Sequence, residues 1–356
     1  MQKNLFAVVV LVVSFLLSTT LVQAQSQGLA ETLGNLSSTA GAAYVAPIVT
    51  SFGSNLNSGW FSGAPKATKL GFDIKLRIIG VGSFFTDDQK VLSTSGLFSF
   101  TDDQMDLLLQ NAAGLTPGSQ EFSTLKSYMQ ANNNWEVHFS GPTIIGDGDT
   151  PLHITFPGQV INGENFTEYD LIMEDVKGYL NELPVLPSVA AQIDIGTFMG
   201  TQASFRWFPE MDVQDLGKFK FFGFGILHNP EVWFNDPLPI DLGIGFFTQT
   251  MEVGSIFKST ATQYGVYASK TFGAGISITP YVGLTMETSN TEVAYDYAFS
   301  GPGGITETAR IGFELEGENK AGVTLGASIN LLFINLSVDY KMAKTKTVSG
   351  AISFGL

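Results

Sequence analysis

Charges spaced two residues apart are the first candidates for chemistry in this chain. Asp73, Lys75 and Arg77 alternate with Phe72, Ile74, Leu76 and Ile78. On a β-strand that period sends the charges to one face and the apolar side chains to the other. A basic side chain turned toward mid-bilayer lipid costs about 2–4 kcal/mol, so three charges on one face belong in a lumen. There they either pair across strands and fill the interior, or line a polar path that selects solute. Asp194, Arg206, Lys218, Lys220, Asp241, Glu314, Asp339 and Lys341 join them as lumen-facing candidates.

Other chemistry is sparse. His138 and His153 flank Asp147-Gly148-Asp149, a fragment of a calcium loop that lacks the twelve-residue ligand series. His228, with Asp236 or Asp241, is the best remaining combination for a rim enzyme, which would also need a Ser. The Gly-rich stretches lead to no Gly-Lys-Ser/Thr, and no Gly-x-Ser-x-Gly elbow occurs. Cysteine is absent, which excludes disulfides, thiolate zinc sites, thiol nucleophiles and a lipidated N-terminal Cys. No catalytic set, metal site or cofactor is expected from these residues.

The lumen charges need strands to hold them. Gly312 to Leu356 has a sustained two-residue period. Val323, Leu325, Ala327, Ile329 and Leu331 form one face, as do Ile334, Leu336, Val338, Tyr340 and Met342. Ile352, Phe354 and Leu356 end the chain on one parity, the pattern of a C-terminal signal for barrel-assembly machinery. Alternation also marks Ile193–Thr197, Leu242–Phe246, Thr262–Ser269 and Ile276–Glu287, with a turn at Phe272–Gly275. Pro280 would cost a ladder hydrogen bond, so a bulge is expected there. The polar, Gly-rich run Thr288–Thr306 reads as an external loop. With Val91–Phe100 and Leu152–Ile161 as weak members, the count is about 12–14, even as single-chain bacterial barrels require. Pairing of Ser349–Leu356 with Lys69–Ile79 would close the wall and leave no edge.

Ahead of the barrel, Lys3, the apolar run Leu5–Leu17 and Val22-Gln23-Ala24 read as a Sec signal peptide cleaved after Ala24. Residues 25–65 predict a helix broken near Pro47, then a loop. This segment would plug the lumen, lie under the barrel or extend from it. The barrel then occupies residues 66–356, with an irregular insert at 101–188. That insert predicts a short helix over Asp102–Gln110 capped by Thr101, strands at Trp135–Phe139 and Leu152–Phe156, and helical spacing within Asn162–Asn181. It is either long loops or a small subdomain capping the barrel.

Composition agrees with an all-β, closed antiparallel transmembrane β-barrel preceded by a short helical segment. Only 14% of the 356 residues are charged, and 39 are Gly. After the N-terminus no apolar run is long enough for a membrane helix. A membrane protein without such helices must close its backbone hydrogen bonds in a barrel. Net charge is −15, from 18 Lys+Arg against 33 Asp+Glu, which argues against nucleic acid as a partner. Trp60, Trp135, Trp207 and Trp233 are expected to divide between interfacial girdles and the lumen.

Several runs carry a family resemblance: Tyr44-Val45-Ala46-Pro47, Asn55–Phe61, Gly71-Phe72-Asp73, Pro142–Gly146, Gly217–His228 and Pro239-Ile240-Asp241-Leu242. In these the chain resembles uncharacterised outer-membrane barrel proteins found in Bacteroidota and relatives. A looser architectural likeness is to the long-chain fatty-acid porins, which have an N-terminal plug. The resemblance implies a barrel in the outer membrane and no assigned activity. The expected role is a channel or transporter for small or hydrophobic solutes, with outer-membrane lipid and the assembly machinery as partners. The alternatives are a structural or adhesive barrel with a filled lumen, and an outer-membrane enzyme.

Overall fold

Alternation becomes structure in a computed structural model that describes residues 26–356 apart from 99, 101, 112–113, 162–163, 167, 175, 214–216, 237, 301–305 and 356. The segment expected to be a signal peptide, Thr101, Gly301-Pro302-Gly303-Gly304 and Leu356 lie outside the described residues. In chain order come α1 (Ser26–Leu56), β1 (Asp73–Phe84), β2 (Val91–Phe98), α2 (Asp102–Asn111), α3 (Gln120–Ala131) and β3 (Trp135–Pro142). Next are β4 (Leu152–Phe156), β5 (Gln159–Ile161), β6 (Glu164–Phe166) and β7 (Tyr169–Met173). β8 (Val185–Phe198), β9 (Thr201–Val213), β10 (Gly217–His228), β11 (Asp241–Val253) and β12 (Phe257–Ser269) follow. β13 (Phe272–Ala274), β14 (Ile276–Ser300), β15 (Thr306–Glu316), β16 (Ala321–Leu331), β17 (Ile334–Met342) and β18 (Thr347–Gly355) complete the chain.

The chain forms two compact units. One contains Asp87–Glu182, α1 as far as Pro47 and the adjoining ends of β14 and β15. The other contains Ile48–Thr86, Leu183–Val293 and Glu314–Leu356.

In the second unit the main sheet closes on itself. Its order runs β1-β8-β9-β10-β11-β12-β14-β16-β17-β18, and β18 returns to β1. Of the twelve strands in this sheet, β13 and β15 pair only with β14, so ten form the ring. All ring pairs are antiparallel, and closure runs from Lys75↔Gly355 to Ser83↔Thr347. Parity governs exposure along the middle of the strands. On β1, Ile74, Leu76 and Ile78 are exposed while Arg77 and Ile79 are buried. On β17, Leu336, Val338 and Tyr340 are exposed while Ser337, Asp339 and Lys341 are buried. An apolar outside and a polar inside invert the arrangement of a water-soluble protein, and lipid is the solvent that suits it. Among the described residues no helix is long and apolar enough to cross a membrane.

Several elements differ from expectation. β2 and β4 are not wall strands but belong to a separate sheet, β2-β3-β4-β7, in the first unit. Thr288–Thr306 is not a loop where it is described: β14 runs to Ser300 and β15 begins at Thr306. Asn162–Asn181 holds β6 and β7 rather than a helix. No break occurs at Pro47, which sits inside α1 and removes one internal hydrogen bond. No register shift occurs at Pro280. Its carbonyl accepts from Lys270 N–H, so its missing donor faces the side where the β12 ladder has already ended at Ser269↔Tyr281. The insert is compact rather than loose. α3 starts at Ser119, whose hydroxyl accepts from Phe122 N–H at 3.1 Å, and buries Phe122, Leu125 and Met129 with Met105, Leu109 and Trp135.

Candidate functional site: the barrel lumen

The inward faces are largely polar, with an apolar patch at Leu227, Phe247, Tyr267 and Tyr281, and one further chain segment lies between them. The end of α1 and the loop after it, residues 48–66, form that segment. Leu56, Trp60 and Phe61 are buried, as are Asn55, Asn57 and Ser58. Gly59 turns with φ +68°, and a Cβ there would stand 2.8 Å from Ile79. Gly223 on β10 has no side chain where Trp60 passes; a Cβ would meet the indole at 2.9 Å.

A segment in a lumen exposes carbonyls that helix and sheet do not satisfy, and each must find a donor. The wall supplies them. Gln249 donates to Leu56 O. Lys341 Nζ donates to Asn57 O at 3.0 Å. Arg77 Nη1 and Gln192 Nε2 both donate to Trp60 O, at 2.9 and 3.1 Å. Ser328 Oγ donates to Ser62 O, and Asn229 Nδ2 to Pro65 O. Side chains of the segment answer in kind: Asn55 Nδ2 donates to Leu186 O and Ser188 Oγ, and Ser58 meets Thr347 at 2.9 Å.

The charges balance around this segment. Lys341 pairs with Glu287 at 2.6 Å, with side chains only 2% and 0% exposed. Arg77 lies 3.7 Å from Asp194, whose Oδ1 also accepts from Gln192 and Ser204. Arg206 donates to Gln192 Oε1 and stacks 3.8 Å above the Trp60 ring. Asp339 accepts from Ser349 and Tyr281. Phe61 packs edge-on against Tyr267 and Tyr281. The cavity left beside Asn57, Trp60, Asp339 and Lys341 measures about 10 Å³, near the minimum for one water.

Of the sequence candidates, Arg77, Asp194, Arg206, Asp339 and Lys341 are thus brought together. Asp73, Lys75 and Asp241 share inward parity at strand ends, where Asp73 and Asp241 are half-buried and Lys75 is exposed. Lys218 and Lys220 are corrections: they share the outward parity of Phe222 and Ile226, and Lys218 pairs with Glu210 at 2.5 Å. Glu314 is a correction as well; it is exposed and bonds Asn290 on the outer parity of β14. Lys218 and Lys220 stand at the start of β10 and Glu314 on β15, outside the ring; at a strand end near a membrane edge the penalty for a lipid-side charge would fall to about 0–1 kcal/mol. Glu287, Gln192 and Gln249 were missed, although Glu287 shares the inward parity of Tyr281 and Thr285. Ile352 and Phe354 face outward.

The remaining chemistry resolves differently. His228 bonds the Thr201 hydroxyl at 2.9 Å. Asp147 accepts from the Asp149 backbone N–H at 2.8 Å, which holds its carboxyl below the ordinary range. Trp60 is the lumen tryptophan, Trp207 and Trp233 are exposed, and Trp135 is buried in the first unit.

A closed antiparallel ring, apolar outside and polar inside, defines a transmembrane β-barrel, here with its own chain in the lumen. The chain belongs to the family described as Family of unknown function (DUF6588), whose model matches residues 1–356. Among curated proteins none matches. Solved structures give distant likenesses. The β domain of the Bordetella autotransporter Brka is 7% identical with a TM-score of 0.28, over 81% of this chain and 100% of that one. Salmonella typhi OmpF in complex with daunomycin is 9% identical with a TM-score of 0.23, over 80% and 97%. A BenF-like porin from Pseudomonas fluorescens Pf-5 is 12% identical with a TM-score of 0.18, over 84% and 100%. None of these bears on what this chain does.

Proposed function

We propose that the protein resides in the outer membrane as a barrel shut by its own residues 48–66, and that it passes small or hydrophobic solutes only when this plug is displaced. The reading rests on one observation. Successive plug carbonyls, at Leu56, Asn57, Trp60 and Ser62, are held by side chains from different wall strands. Hydrogen bonds of this kind can be exchanged for water bonds, so a polar latch opens at lower cost than an apolar core of the same area. A cleaved signal peptide would deliver the chain to that membrane, of the Bacteroidota type that the sequence resembles. Ile352, Phe354 and Leu356 would present it to the assembly machinery, and outer-membrane lipid would cover the apolar wall.

A second reading, the filled structural barrel, is favoured by the near-absence of free volume beside Trp60. Conductance of the refolded full chain in planar bilayers separates the two. A shut full chain, with openings in Lys341→Met and in Arg77→Met, is the expected result. Steady conductance of the unaltered chain would overturn the closed lumen. Silence in both variants, with the wall folded, would favour the structural barrel.

A further inference from the structure

We propose that the open face of the β2-β3-β4-β7 sheet binds a divalent transition-metal ion of the zinc class between His138 and His153. One face of this sheet is buried through Val137, Phe139, Leu152 and Ile154. The opposite parity carries Ser95, His138, His153, Thr155 and Asp170, all exposed or half-exposed. The ladder fixes their relation. His138 stands opposite Thr155, and Ser140 opposite His153. The two imidazoles are therefore diagonal neighbours on adjacent strands. Such positions lie roughly 7–8 Å apart at Cα, within reach of long side chains on a shared partner.

Each ring is anchored through the same nitrogen. His153 Nδ1 meets Asp170 Oδ2 at 2.7 Å, and Thr155 donates to the other carboxylate oxygen at 3.1 Å. A carboxylate only accepts, so Nδ1 of His153 carries the hydrogen and Nε2 of the neutral ring keeps its lone pair. His138 Nδ1 meets Ser95 Oγ at 2.7 Å, and the hydroxyl can accept there in the same way. Metal-binding histidines characteristically have this second bond, which sets the tautomer and orients the ring. Here both Nε2 atoms are left for a ligand. Imidazole nitrogens suit zinc, nickel and copper, and not calcium or magnesium. Among the described residues no group of three or more His, Asp and Glu forms a ready cage. The site therefore has two protein ligands and leaves the other positions to water or an incoming group. Asp147 and Asp149 are not part of it.

Calorimetric titration of the untagged full chain, refolded in detergent, with zinc chloride tests this. The expected result is one ion per chain, with affinity reduced at least about tenfold in His138→Gln and in His153→Gln. Asp170→Asn, which removes an orienting group and no ligand, should weaken binding by about 10–100-fold. His228→Gln should bind as the unaltered chain does. Undiminished binding in the double variant His138→Gln/His153→Gln, or no binding by the unaltered chain, overturns the proposal. Should a variant fail to fold, the copper(II) spectrum of the unaltered chain decides. Hyperfine structure from two equivalent imidazole nitrogens supports the site, and its absence sinks it.

Discussion

At the scale of residues, the Lys341–Glu287 pair is the sharpest case. Both charges are out of water, and Lys341 also holds the plug carbonyl of Asn57. Removing one partner of such a pair leaves a buried charge, at a cost of about 3–5 kcal/mol, whereas replacing both by apolar groups is often neutral. Lys341→Met should therefore lower the urea midpoint of the refolded barrel far more than Lys341→Met/Glu287→Met does. Equal losses in the single and double variants would show that the pair carries little. Arg77, Asp194, Asp339 and Lys341 were legible because charge on a two-residue period has one tolerable direction in mid-membrane. Lys218, Lys220 and Glu314 were not, because an exposed charge that pairs on the outer face, as Lys218 does with Glu210, carries the same two-residue period as an inward one. Gln192 and Gln249 gave no signal, since an inward amide resembles any polar wall residue.

At the scale of elements, the plug is held as much by shape as by charge. Trp60 lies against Phe247 at 5.0 Å, under Arg206 at 3.8 Å and beside Gly223. A buried cation–π contact contributes up to about 2 kcal/mol. Truncating a packed Trp costs about 3–5 kcal/mol. Gly223→Val should expel the indole and press on Gln249, the donor to Leu56 O, because its Cβ would meet both Trp60 and Gln249 within 3 Å. Limited proteolysis should then cut within residues 48–66 while the wall stays resistant; unchanged protection would show that Trp60 can shift without releasing the plug. The helix ahead of the plug was legible from apolar spacing, but its continuity through Pro47 was not. Local preference breaks a helix at Pro, yet α1 runs from Ser26 to Leu56 through it. The helix α3 carried a readable signal in Ser119, Phe122, Leu125 and Met129. β6 and β7 fell in acidic sequence whose three-to-four spacing imitates a helix, an ambiguity that short segments allow.

At the scale of the whole molecule, the period of two identifies strands but not the sheet they join. β2, β3 and β4 alternate as the wall strands do, yet they pair among themselves, which is why the ring holds fewer strands than alternation alone implies. Closure was legible because first and last strands of a barrel must meet, and β1 does pair with β18. That pairing also separates two roles for the C-terminus. Deleting Phe354 to Leu356 removes the pairs Leu76↔Phe354 and Lys75↔Gly355, but leaves the ladder from Arg77↔Ser353 to Ser83↔Thr347. Most of the seam, and the whole plug latch, would survive. If Ile352, Phe354 and Leu356 act chiefly as a sorting signal, the truncated chain should still refold in detergent and migrate as a compact barrel. In cells it should fail to reach the outer-membrane fraction. Normal insertion in cells would remove the signal from the reading, and loss of refolding in detergent would make these residues structural instead.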